Sequence, residues 1–124
     1  MAILLYFRIF SNTSCSVTFT QFTFDVSGGF MKPGKTCSVI EMYEGRLQTN
    51  GVPKVRMDPK KTFKDLSIDE LLAHAHYLCD GVKEYAHDPE KKRKAGSHLT
   101  SVQLCLSFAG WYTLEDLMNH NRPD

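Results

Sequence analysis

The feature that most constrains this chain is a change of hydrophobic period near its middle. Before about residue 57 apolar side chains tend to alternate in steps of two, and beyond residue 66 they recur every three or four positions. Steps of two send neighbours to opposite faces of a strand, whereas steps near 3.6 line one face of a helix.

The first half reads as strands. Residues 4–10 are a run of aromatic and branched side chains closed by the turn-prone Ser11-Asn12-Thr13-Ser14. Residues 17–26, VTFTQFTFDV, alternate most clearly, with Val17 and Phe19 on one face and Phe22, Phe24 and Val26 on the other. That phase change predicts a bulge near Thr20-Gln21. Turns at Ser27-Gly28-Gly29 and Pro33-Gly34 lead to a third strand at residues 36–43. Asn50-Gly51 is a hairpin signal, predicting a minor ribbon between residues 46–48 and 55–57.

The second half reads as helices. Ser67-Ile68-Asp69-Glu70 is a capping box, with Leu66 and Leu71 placed as a hydrophobic staple. Ile68, Leu71, Leu72, Ala75, Leu78, Cys79, Val82 and Ala86 then form the stripe of a helix over residues 67–87. Asp88-Pro89-Glu90 starts a short basic helix that stops at Gly96. Leu99, Val102, Leu106 and Ala109 mark a third helix ended by Gly110, and Thr113-Leu114-Glu115-Asp116 caps a final short one. Strands followed by helices predict an α+β fold, an N-terminal antiparallel sheet of three to five strands with three to four C-terminal helices packed on it. The reading is one domain over residues 1–124, strand-rich at 1–57 and helical at 66–120; halves of about 60 residues would each be marginal alone.

Charge narrows the partner classes. The net charge of +1 excludes a chain that binds nucleic acid or a membrane surface through bulk electrostatics. Residues 54–64 carry +4, residues 65–90 carry −6 and residues 91–94 carry +4, so an acidic stretch is bracketed by two basic ones. Cys15, Cys37, Cys79 and Cys105 stand without a CxxC pair, which points to reduced thiols in a cytoplasmic, reducing compartment. The apolar run at residues 2–7 lacks a basic flank and a cleavage site, and no stretch approaches the roughly 20 apolar residues of a membrane helix.

Catalytic motifs are thin. Gly29-Phe30-Met31-Lys32-Pro33-Gly34-Lys35-Thr36 matches the GxxxxGKT phosphate-loop pattern. That loop works when a strand feeds it and a helix begins at the lysine. Here Cys37-Ser38-Val39-Ile40 favours a strand, so a nucleotide-binding enzyme is the weakest reading. His74 and His76 lie two apart on a helix, about 200° around it, and cannot share an ion. His76 and Cys79 could share a face, yet zinc requires three or four ligands. His87, His98 and His120 have no partner that spacing identifies, so neither metal nor cofactor is expected. Cys79 and Cys105 fall on apolar stripes, where a thiol is an inert small hydrophobe.

Two surface readings remain. Trp111 and Tyr112 beside the Gly110 turn either seal the core between two helices or anchor a protein interface. Lys60, Lys61, Lys64, Lys91, Lys92, Arg93 and Lys94 would make a phosphate-binding patch if the two blocks met on one side. The helix–glycine–helix cadence at residues 99–118 faintly suggests DNA reading, but Glu115 and Asp116 are wrong for a groove. The expectation is therefore a small non-catalytic regulator or inhibitor that occludes a protein partner, of the kind viruses and phages deploy. Its alternative is a nucleic-acid-binding accessory protein. An exposed strand edge at residues 4–10 would also allow a homodimer.

Overall fold

The computed structural model describes residues Met31–Asp124. The expected strands at residues 4–10 and 17–26, the bulge, the turn at residues 27–29 and Cys15 lie outside the described residues. Within them the chain forms four helices and no strand: α1 (Pro33–Thr49), α2 (Ile68–Ala86), α3 (Lys92–Phe108) and α4 (Leu114–Asn121). The α+β expectation is therefore overturned. The C-terminal helices pack on one another and on α1.

α1 replaces the third strand and half of the minor ribbon. Pro33 sits at its start, where a fixed φ and a missing N–H are harmless. Thr36, Val39, Ile40, Tyr43, Glu44 and Leu47 are its buried residues, spaced in threes and ones as a helical stripe demands. The branched residues Thr36, Val39 and Ile40 suit strands intrinsically, but burying a whole stripe outweighs a propensity of a few tenths of a kcal/mol per residue, about the spread among such residues. Asn50-Gly51 ends the helix instead of turning a hairpin. Gly51 has φ +69°, its N–H donates to Gln48 O at 3.0 Å, and Val52 N–H donates to Leu47 O at 3.0 Å. That pair of bonds is a Schellman stop, which favours glycine in the left-handed region.

α2 begins as its sequence predicts. Ser67 Oγ accepts from Glu70 N–H and the Glu70 carboxylate accepts from Ser67 N–H. Leu66 and Leu71 are both buried, although Ile68 of the expected stripe is exposed. Asp88 caps a 3-10 turn, Pro89–Lys91, that feeds directly into α3. α3 runs through Gly96 without a break, correcting the expected stop there. Ala95 and Leu99 on either side of Gly96 are buried, so packing holds the turn that glycine alone would weaken. α2 and α3 form the main helix pair, and Gly81 lets them approach: a Cβ there would lie 3.2 Å from His98 Cδ2.

Gly110, φ +86°, stops α3 with a second Schellman motif: its N–H bonds Ser107 O and Trp111 N–H bonds Leu106 O, both at 2.9 Å. Thr113 then opens α4 through a capping box with Asp116. Val39, Ile40, Tyr43 and Leu47 of α1 join Leu71, Leu72, Ala75, Cys79 and Val82 of α2 and Leu99, Val102, Cys105 and Leu106 of α3 in one core. Glu44, nine-tenths buried, ties α1 to α2 by accepting from Lys83 Nζ at 2.7 Å, with Lys54 Nζ at 3.9 Å.

Candidate interface at the α3–α4 corner

The second Schellman motif explains where Trp111 sits. As the residue after the left-handed glycine, it is carried back over the end of α3, and both Trp111 and Tyr112 are half-buried against the core. Their other sides meet Arg46 of α1, whose Cζ lies 4.3 Å from the Trp111 ring centroid and 5.1 Å from that of Tyr112. One side of the pair seals the core, as one of the two expected readings has it, and the other side carries an exposed guanidinium. Arg46 has no carboxylate partner among the described residues.

A buried polar network holds the corner in place. Tyr43, fully buried, lies 5.5 Å from Tyr112 and 5.5 Å from His120 between ring centroids. Gln103 Nε2 donates to Tyr43 Oη at 3.0 Å and to Asn121 Oδ1 at 2.8 Å, while Asn121 Nδ2 donates to Gln103 Oε1 at 3.2 Å. The Tyr43 hydroxyl also shares a hydrogen bond with His120 Nδ1 at 2.7 Å. Burial pushes the Tyr43 hydroxyl far above the ordinary phenol value, so it is no base or nucleophile at neutral pH. The network fastens α4 to α1 and α3 and fixes the surface above it.

Elsewhere on α3 and α4 large apolar side chains face solvent. Leu104 and Phe108 are one turn apart on α3, and Leu114 and Met118 one turn apart on α4. Phe108 is 65% and Leu114 71% exposed, which is unusual for side chains of their size.

The other sequence candidates fare differently. Lys61 Nζ pairs with Glu70 at the start of α2 at 3.0 Å, whereas Lys91 and Lys94 Nζ lie over the Tyr85 ring at its end, 5.3 and 4.5 Å from the centroid. Fifteen residues of helix separate Glu70 from Tyr85, about 22 Å at 1.5 Å per residue. Lys60, Lys61 and Lys64 therefore do not join Lys91, Lys92, Arg93 and Lys94 in one patch. Each block also has acids beside it in sequence, Asp58, Asp65 and Asp69 at one end and Glu84, Asp88 and Glu90 at the other.

The helix that the GxxxxGKT pattern requires after its lysine is present, which corrects the reason given for discounting it. Other features now oppose a phosphate cradle. Lys35 Nζ is held by Asp124 Oδ1 at 3.0 Å, and Thr36 is buried. Gly29 and Phe30 lie outside the described residues.

Cys37 Sγ lies 3.5 Å from His87 Nε2, the one approach of a thiol to an imidazole among the described hydrogen bonds. Burial and the nearby Glu41 carboxylate push this thiol up, opposite to what an activated nucleophile needs. Cys79 and Cys105 are fully buried, and burial pushes their thiols to about 12 and about 11. No group of three metal-ligating side chains converges among the described residues. Nor is any helix there long and apolar enough to cross a membrane.

Arg46 was not legible as a site residue, since its sequence position suggested a ribbon and nothing local links it to Trp111. Comparison of the chain with protein-family models, with curated proteins and with solved structures found no match.

Proposed function

We propose that this chain is a non-catalytic protein-binding regulator whose contact surface is the α3–α4 corner. The observation that carries the reading is the stack of Arg46, which has no carboxylate partner among the described residues, on Trp111 and Tyr112. Trp, Tyr and Arg are the residue types that dominate binding energy at protein interfaces, above all when held rigidly before the partner arrives. Holding these rings by a Schellman stop and a hydrogen-bond network beneath them lowers the entropy lost on binding. Leu104, Phe108, Leu114 and Met118 add exposed apolar side chains on the same two helices.

The partner is a protein segment that presents a carboxylate among apolar side chains. The guanidinium has no carboxylate partner among the described residues, and an acid docking there forms a charge-assisted bond in a partly desolvated setting. Occlusion of the partner's surface is then the mode of action.

The test is capture from extracts of the source cells with wild type, Trp111→Ala, Arg46→Glu and Lys92→Glu, each verified as folded by circular dichroism. A protein retained by wild type and Lys92→Glu but lost from both corner variants supports the reading. Equal retention by all four overturns it. Salt-sensitive retention of nucleic acid lost only in Lys92→Glu would favour the accessory-protein alternative instead.

A further inference from the structure

The two histidines that cannot share an ion grip a common segment. After the Schellman stop, residues 52–57 run across α2 and are bonded at both margins. On one flank His76 Nδ1 lies 2.8 Å from Val52 O, and a carbonyl only accepts, so His76 carries its proton on Nδ1. On the other flank Met57 N–H donates to His74 Nδ1 at 3.2 Å, so that nitrogen is bare and His74 carries its proton on Nε2. Between them Val55 N–H donates to Ala73 O at 3.2 Å, and Lys54 Nζ reaches Asp80 at 3.1 Å. Val52 and Met57 pack at the edge of the core. Because positions two apart on a helix point about 200° apart, the segment wraps the face of α2 between them.

The His74 clasp does not tolerate a charged imidazole. His74 is 8% and His76 4% exposed. Protonation of His74 places a hydrogen where the Met57 amide hydrogen already points. The His76 clasp is of the other kind, a donor to a carbonyl, with its Nε2 buried and without a partner among the described residues. We infer that residues 52–57 form an acid-released strap, closed while His74 is neutral and freed at its Met57 end when His74 charges.

The surrounding groups favour release. Around His74 stand Arg56 of the strap, His98 of α3 and, one turn back on α2, Glu70, which is engaged by Lys61 and by the Ser67 amide. Burial first, then Arg56 and His98, lower the basicity of His74. The charges nearest the other end of the strap are taken up among themselves: Asp80 and Glu44 pair with Lys54 and Lys83. The sign follows: the open strap takes up a proton that the closed strap resists at His74, so closure is complete above the ordinary histidine value near 6.5 and weakens as pH falls from there toward the lowered value of His74.

The inference is independent of the corner surface, and amide exchange on the full chain tests it. Between pH 7.5 and pH 5.5 the protection of the Val55 and Met57 amides, corrected for intrinsic rates, should fall by up to about tenfold, the limit for one histidine that must stay neutral. The Cys79 and Val82 amides of α2 should keep theirs. His74→Gln, which retains an acceptor that does not titrate, should remove the pH dependence. If that variant fails to fold, the His74 imidazole resonance of wild type decides instead, because it must titrate over the pH range in which the strap opens. Strap protection that ignores pH, or that is lost together with Cys79 and Val82, overturns the inference.

Discussion

Replacing Tyr43 by phenylalanine removes one oxygen from the centre of the corner and leaves the aromatic volume unchanged, so no cavity term enters. The hydroxyl makes two bonds, one accepted from Gln103 Nε2 and one shared with His120 Nδ1. Each is worth about 1 kcal/mol net when both partners can return to water. Gln103 is buried, so its released N–H adds part of an unsatisfied-donor penalty of roughly 1–3 kcal/mol, whereas His120 is half-buried and recovers a water. The total is about 3 kcal/mol. At about 4–8 °C per kcal/mol for a domain of this size, the midpoint falls by roughly 12–24 °C. Thermal and urea denaturation followed by circular dichroism measure it. Amide exchange in Leu114–Asn121 should accelerate more than in α2, since the network is what holds α4 to α1 and α3. A loss under about 0.5 kcal/mol, or exchange that speeds equally everywhere, would refute the reasoning.

Three further outcomes follow from the same structure. Gly96→Ala should stabilise by up to about 1 kcal/mol in urea titrations, because Gly96 lies inside α3 with open space around it, whereas Gly110→Ala should destabilise by roughly 1–2 kcal/mol at its positive φ; a loss at Gly96 would mean that the helix stops there. Iodoacetamide at pH 8, read by peptide mass mapping, should label Cys37 well before Cys79 and Cys105, and comparable rates at all three would contradict the burial of the latter two. Because the unfolded chain protonates His74 first, that residue's contribution to stability is complete above about pH 6.5 and declines below it, so urea midpoints should drop from pH 7 to pH 5.5, and less so in His74→Gln.

What could be read from the sequence depended on whether a local signal had one structural meaning. Ser67 with Glu70 and Thr113 with Asp116 are reciprocal caps, and both helices begin there. Gly110 marked a stop and is one. Asn50-Gly51 is ambiguous, because a left-handed glycine closes hairpins and helices alike; only the stripe at Thr36, Val39, Ile40, Tyr43 and Leu47 separates the two, and its branched residues disguised it. Gly96 misled in the opposite sense, since packing of Ala95 and Leu99 carries the helix past it. The same error hid half of the site. Trp111 and Tyr112 announced themselves beside Gly110, but Arg46 joins them only when residues 33–49 coil. Likewise, the spacing of His74 and His76 excluded a shared ion without revealing that a passing segment could lie between them.

The central claim is that the Arg46–Trp111–Tyr112 stack is where a protein partner binds. Titrating the captured partner into wild type and Trp111→Ala by calorimetry tests it most directly. The account predicts at least about a thirtyfold weaker affinity for the variant, the loss of about 2 kcal/mol typical of a central anchor. Equal affinities, with both proteins folded, would contradict it.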